Sequence, residues 1–337
     1  MKYKLSLFIS LFLLFGVANV ASADQTSKLG IHILNTGELT PAEQLLQVEG
    51  SDQWQYVTIP FTLDDTQKLE DWQAFFDEAK RKKIIPLVRL TTRFEDGAWQ
   101  VPNRRQLVLL VTALGHLDWP TDQKHIIVFN EVNHSKEWGG TIDPEEYAGT
   151  LEFVSNWARS ENKNFVILPA AMDLAAPNGY ETKEAFTYLN EMYKSDPEIF
   201  SYIDAWNSHS YPNPGFSSSP QRTGKNSLRG FEHELSYLKQ KTNKDFDVYI
   251  TETGWEDNRT TARWLTSYYN YAMQHIWSNP QVKAVTPFVL KGSPGPFAGF
   301  SFLSGDDKPT RQYIAFRNMI ETLAQQQRLL TDASTTE

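Results

Sequence analysis

Glu131 and Glu252 each stand where a short apolar segment gives out. The first closes His125-Ile126-Ile127-Val128-Phe129-Asn130-Glu131, and the second closes Asp247-Val248-Tyr249-Ile250-Thr251-Glu252-Thr253-Gly254-Trp255. Residues 126–129 are apolar on both faces, as in a parallel strand covered on both sides. A carboxylate at the C-terminal lip of such a strand points into the crevice where α/β proteins bind ligands. One protonated carboxyl and one ionised carboxyl can together break a sugar–sugar bond, the first assisting the leaving oxygen and the second attacking the anomeric carbon. That chemistry requires both strands to belong to one closed barrel. The competing reading, a surface or loop-capping glutamate, explains an isolated Glu but not two at matching strand ends.

The elements that must position this pair are legible as periodicity. Strand-like runs fall at 29–34, 56–59, 84–90, 126–129, 165–168, 203–206, 248–250 and 285–290. Helical patterns lie between them at 69–80, 105–114, 144–160, 183–193, 228–241 and 261–277, with a closing helix at 310–323 and a weaker candidate at 41–46. Strict strand–helix alternation implies a parallel sheet, and eight units in a chain of this length fit a single-domain (β/α)8 TIM barrel, fold class α/β, better than an open sheet. The catalytic domain is expected over residues 24–330, with 331–337 as a small, polar, disordered tail. The densest turn signals, 211–220 and 292–296, directly follow the sixth and eighth strands, on the side where active-site loops sit.

Three motifs at strand ends carry a resemblance. Asn130-Glu131-Val132-Asn133-His134 ends the fourth strand, His209-Ser210-Tyr211-Pro212 the sixth, and Thr251-Glu252-Thr253-Gly254-Trp255 the seventh. Together they resemble the retaining glycoside hydrolases of clan A, (β/α)8 enzymes whose acid/base Glu follows an Asn on strand four and whose nucleophile closes strand seven. The resemblance runs through essentially all of residues 24–337. It implies Glu131 as acid/base, Glu252 as nucleophile, Asn130 as a contact to the sugar 2-hydroxyl, and Tyr211 as the hydroxyl that orients Glu252. The bland alternative for Asn130 is a strand-end turn residue.

His209 lies two residues before Tyr211 and so shares its strand face, where it is placed to adjust Glu131 or contact sugar; a structural His–Tyr pair is the alternative. Arg89 ends the third strand, where a cation would keep the nucleophile ionised, although the clan usually supplies its Arg from another early strand. A structural salt bridge is its rival. Trp138 and Trp255 are candidate sugar platforms, with core packing as the alternative. His32 and Asp173 could line subsites or be structural, Tyr147 reads as core, and Asp204 sits too early on its strand to reach the mouth. The eighth strand departs from the clan pattern, since 285–291 contains no Trp, and Phe288 or Lys291 is left to do a related job.

Residues 1–23 have a basic start at Lys2 and Lys4, an apolar stretch over 5–20 and small residues at Ala21-Ser22-Ala23, the pattern of a cleaved signal peptide. An uncleaved anchor is the alternative. Its loss removes two lysines and no acid, taking the formal net charge from −9 to −11. So acidic a chain is a poor partner for nucleic acid. With no cysteine, disulfides, thiol catalysis and Cys-ligated zinc are excluded. The seven histidines show no HxH or HExxH pairing and no Gly-rich phosphate loop follows a strand, so neither metal nor cofactor is expected.

The expectation is a secreted or periplasmic monomer, free of the membrane after signal cleavage, that hydrolyses a β-linked polysaccharide or oligosaccharide. A non-catalytic carbohydrate-binding barrel and a transglycosylase using the same glutamates remain alternatives.

Overall fold

The computed structural model describes residues 26–48, 50–161 and 164–334. Eight strands and eight helices alternate along them: β1 Thr26–His32, α1 Leu39–Leu46, β2 Trp54–Phe61, α2 Leu69–Arg81, β3 Ile84–Leu90, α3 Arg104–His116, β4 Lys124–Val128, α4 Pro144–Glu161, β5 Phe165–Pro169, α5 Ala185–Ser195, β6 Trp206–Ser208, α6 Gly230–Thr242, β7 Val248–Ile250, α7 Leu265–His275, β8 Val282–Val285 and α8 Arg311–Ser334. Pairing among these eight strands is parallel throughout and runs β5-β4-β3-β2-β1-β8-β7-β6, while a short antiparallel hairpin, Phe94–Glu95 with Ala98–Trp99, follows β3. The remaining seam, β5 to β6, is drawn together by a parallel bridge between Asp173 and His209 and by Asn207 Nδ2 donating to the Pro169 carbonyl at 3.1 Å. The fold is the expected (β/α)8 barrel.

Period-two alternation divides the buried residues into two layers. Tyr56, Ile85, Leu87, Ile127, Leu168 and Tyr249 fill the barrel interior, while Val57, Val88, Ile126, Ile167 and Ile250 pack outward against the helices. On the same logic Arg89 shares the interior face of β3 with Ile85 and Leu87, four and two residues back. Asn207, His209 and Tyr211 line up on the interior side of β6, and Ser208 faces Glu234 of α6. The helices begin and end for local reasons. Asn103 and Gln106 cap α3 reciprocally (3.0 and 2.9 Å), and α6 stops at Asn243 in the left-handed conformation, φ 55°.

Some boundaries differ from the sequence reading. The ladder of β8 ends at Val285, three residues after it starts, yet residues 286–290 continue along the barrel wall through Thr286 N to the Ile250 carbonyl and Leu290 N to the His32 carbonyl. β6 starts at Trp206 because Asp204 and Ala205 are engaged with the Ile167 carbonyl. Helix α8 runs on through Ser334, so residues 331–334 are helical and not part of a disordered tail. Residues 335–337 and the leader at 1–23 lie outside the described residues. Among the described residues, no helix is long and apolar enough to cross a membrane.

Gly30 shows how tightly β1, β2 and β8 close. A Cβ there would lie 2.6 Å from both the Tyr56 carbonyl and Thr286 Cγ2, too near for contact without backbone movement. Gly30→Ala is expected to cost about 1–3 kcal/mol, read as a lowered urea midpoint at unchanged slope. An unchanged midpoint would show that this part of the barrel relaxes freely.

Candidate active site

The ends of β3, β4, β6 and β7 converge on Glu252. Its Oε1 accepts from Arg89 Nη1 at 2.6 Å, its Oε2 accepts from the Tyr211 hydroxyl at 3.2 Å, and His209 Nδ1 lies 3.8 Å away. Arg89 Nη1 also donates to Asn130 Oδ1 at 2.7 Å, tying the β4 end to the same cation. Glu131 Oε1 meets His209 Nδ1 at 2.8 Å. One ligating atom from each of Glu131, His209 and Glu252 lies within 4.8 Å of the others, so the two carboxyls face each other closely across the mouth. These three groups offer the donor set of a metal site, but Arg89 and Tyr211 already engage both oxygens of Glu252, and Arg89 supplies the positive charge.

The backbone delivers Glu131 at a cost. Phe129 and Glu131 have φ of 71° and 28°, the left-handed region that non-glycine residues avoid. Strain of this kind, about 1–3 kcal/mol per residue, persists where the surroundings over-determine a conformation, most often at functional sites. Here Tyr147 is one such restraint: its hydroxyl donates to the Val128 carbonyl at 2.9 Å and accepts from Ala170 N at 2.6 Å, which fixes the strand ends while the ring stays in the core as expected.

The charges are unequal. Burial by itself would raise the Glu252 carboxyl, but the charges of His209 and Arg89 and the Arg89 hydrogen bond outweigh it and hold the pKa at about 2. His32, with Nδ1 3.6 Å from Glu252 Oε1, is pushed by burial and by Arg89 down to about 3, so it is neutral near pH 7 and the permanent cation beside Glu252 is Arg89. Burial lowers His209, yet Glu252 and Glu131 more than compensate and its pKa rises. A third carboxyl, Glu137, is raised by burial and by Glu131 to about 7.

Arg89, Asn130, Glu131, Tyr211 and Glu252 line a cleft of about 670 Å³, a typical ligand-pocket volume. Its apolar wall is Leu34, Trp99, Phe216, Phe288, Phe297 and Phe300, and Glu137, Asp173 and Glu256 add carboxyls. Asp173 is held below its usual range because its His134 partner, 2.9 Å away, outweighs burial.

The structure brings Arg89, Asn130, Glu131, His209, Tyr211 and Glu252 together and separates three other candidates from them. Trp138 and Trp255 are fully buried: Trp138 packs edge-on against Phe129 and Tyr147 and donates to Glu146 at 3.1 Å, and Trp255 packs between Tyr268 and Tyr269 and donates to the Ser218 carbonyl at 2.8 Å. Neither offers a face to sugar, and both are core residues. Lys291 pairs with Asp307 at 2.6 Å and does not line the cleft. Phe288 takes the eighth-strand position instead, edge-on to His32 at 5.2 Å and to Phe297 at 5.0 Å.

Asp204 is structural, bonded to Arg159 and Ile167 N. Glu137, Trp99, Phe216, Phe297, Phe300 and Glu256 escaped the sequence reading. Their signal was their position in segments that follow strands three, four, six, seven and eight; of these, only the loops after strands six and eight were already marked by proline and glycine.

A (β/α)8 barrel with two unlike carboxyls at its C-terminal mouth is the architecture of a glycosidase. The chain belongs to the glycosyl hydrolase catalytic core family, whose model matches residues 99–312. It is similar in fold to a monomeric beta-xylosidase from Caulobacter crescentus CB15 (15% identity, TM-score 0.61, covering 86% of this chain and 67% of that one). It is also similar to a family 39 glycoside hydrolase from the gut symbiont Bacteroides cellulosilyticus WH2 (13%, 0.60, 89% and 64%) and to GH5_18 from Streptomyces cattleya in complex with GlcNAc (14%, 0.59, 89% and 80%). The chain spans about two thirds of the length of the first two. No curated protein matches it. These solved structures share the fold of this chain.

The dependence of Glu252 on Arg89 is testable. Removing the guanidinium leaves a buried carboxylate short of a partner, so its pKa must rise. Arg89→Met should move the acid limb of kcat/KM to higher pH by at least about one unit, since the ionised form would be lost sooner on acidification. An acid limb that stays in place would contradict the pairing.

Proposed function

We propose that this protein is an exported retaining glycoside hydrolase that cleaves β-linked polysaccharide or oligosaccharide by double displacement. The observation that carries the reading is the pair of carboxyls in unlike surroundings: Glu252 held ionised by Arg89, and Glu131 bonded to His209, with their oxygens closely opposed. Retaining enzymes keep these groups about 5 to 5.5 Å apart, too close to seat a water between the second carboxylate and the anomeric carbon.

Glu252 attacks that carbon while Glu131 gives its proton to the leaving oxygen; Glu131 then takes a proton from the water that releases the sugar. Tyr211 and Arg89 fix the attacking carboxylate. Asn130 lines the cleft with its Oδ1 accepting from Arg89 and its side chain hydrogen-bonded to Glu137, and its amide donor can bond the 2-hydroxyl as charge develops on the ring. The phenylalanines and Trp99 supply flat apolar faces for sugar rings. Export rests on the leader pattern at residues 1–23, and a monomer is the proposed solution state.

Anomeric configuration is the decisive readout. Proton NMR of the first product formed, before mutarotation, should show the configuration of the substrate, and an inverted product would overturn the mechanism. The roles of the two glutamates separate by leaving group. Glu131→Ala should lose about 10²–10⁴-fold on poor leaving groups but spare glycosylation by activated aryl glycosides, with azide restoring turnover. Equal losses on both substrates without azide rescue would refute the acid/base role.

A further inference from the structure

Hydrogen bonds run inward from Glu131 and end on a backbone carbonyl. Glu131 Oε1 lies 2.8 Å from His209 Nδ1, His209 Nε2 lies 3.2 Å from Thr251 Oγ1, Thr251 Oγ1 lies 2.6 Å from Asn207 Oδ1, and Asn207 Nδ2 lies 3.1 Å from the Pro169 carbonyl. The inner end sets the direction of the whole chain. A carbonyl only accepts, so Asn207 presents its NH2 to Pro169 and its oxygen to Thr251. An amide oxygen also only accepts, so the single hydroxyl proton of Thr251 goes to Asn207. Thr251 Oγ1 is then left as an acceptor, and His209 Nε2 must carry a proton. Asn207, Thr251 and His209 are all essentially fully buried, which keeps bulk water from offering other partners.

We propose that Thr251 and Asn207 are positioning residues that lock His209 as its Nε2–H tautomer, so that only Nδ1 exchanges a proton with Glu131. The catalytic consequence rests on the reading of Glu131 as the acid/base; the lock itself does not. With Nε2 protonated, a neutral His209 can only accept at Nδ1, which requires Glu131 to hold the proton. The opposite tautomer would donate from Nδ1 to an ionised Glu131, leaving it nothing to give.

In glycosylation the Glu131 O–H bond breaks, its proton passes to the leaving oxygen, the C1–O bond breaks and the bond from C1 to Glu252 forms. In deglycosylation water bonds C1, the Glu252 ester breaks and the water proton returns to Glu131. The His209–Glu131 pair ends each cycle with the one proton it began with. In the serine-hydrolase triad, loss of the group that selects the histidine tautomer costs about 10⁴ in kcat.

Other charges face this pair. Glu252 and Arg89 lie on the mouth side, with Tyr211 and His32 beside them. Glu137 and His134 flank Glu131, Asp173 adjoins His209 across the β5–β6 seam, and Glu234 acts from the α6 side. All of them are left in place by Thr251→Val, which removes one hydroxyl and preserves shape.

The test uses the whole protein labelled with ¹⁵N-histidine, with the His209 signals identified by their loss in His209→Asn. Once His209 is neutral, its proton should sit on Nε2. In Thr251→Val the signals should shift toward the Nδ1–H form, the alkaline limb of kcat/KM should move to lower pH, and poor-leaving-group substrates should lose at least about tenfold, more than activated aryl glycosides do. Thr251→Ser should restore the wild-type tautomer and profile.

A neutral wild-type His209 protonated on Nδ1 would overturn the proposal without recourse to any variant. So would a Thr251→Val protein with unchanged tautomer and unchanged pH profile. If the wild-type signals show Nε2–H but no glycoside is hydrolysed, the assignment of Glu131 as an acid fails and the tautomer lock is upheld.

Discussion

A carboxylate taken out of water and kept ionised is the constraint around which this barrel is organised. Desolvating such a charge costs several kcal/mol unless a partner and further hydrogen bonds replace the lost water. No single strand supplies enough. Glu252 comes from the end of β7, its cation Arg89 from β3, its hydroxyl Tyr211 from the end of β6, and Arg89 is shared with Asn130 beyond β4. Closure of the sheet is therefore an electrostatic requirement as much as a packing one. If β3 and β7 were opposite edges of an open sheet, the 2.6 Å contact between Arg89 and Glu252 could not form.

The same geometry separates the two acids chemically. Glu252 has a permanent cation and Glu131 has a titratable one, so one carboxyl is fixed in charge and the other is tied to a histidine that can exchange a proton. The positive φ angles at Phe129 and Glu131 turn the chain sharply as it leaves β4, and that turn carries Glu131 over His209. Above the charged floor the cleft is largely apolar. Phenylalanines from the loops after β6 and β8 form its wall, with Phe288 standing at the eighth-strand position.

Much of this was legible in the sequence, and the failures share a cause. Strands β3 and β7 appear at their observed limits because apolar runs bounded by polar residues leave little choice of register. The facing glutamates and Arg89 followed from position at strand ends, where topology dictates convergence, Tyr211 followed from the clan resemblance, and His209 from sharing the strand face of Tyr211. Trp138 and Trp255 misled because an indole beside such a motif suits a core as well as a sugar, and only the burial of the ring decides: both rings are closed off from the cleft. Glu137 and the cleft phenylalanines were invisible for the converse reason. They sit in short loops without periodicity, and their approach to the mouth is set by turns that residue type does not encode. Thr251 and Asn207 looked like ordinary strand residues, and their relation to His209 emerges only when β5, β6 and β7 are placed side by side.

The account stands on Glu252 as the residue that bonds to sugar. A 2-fluoro glycoside with an activated leaving group slows release of the covalent intermediate, and mass spectrometry of the digested protein locates it. The account predicts stoichiometric mass addition on the peptide containing Glu252, absent in Glu252→Gln. Label on Glu131, Glu137 or any other side chain, with Glu252 unmodified, would contradict it.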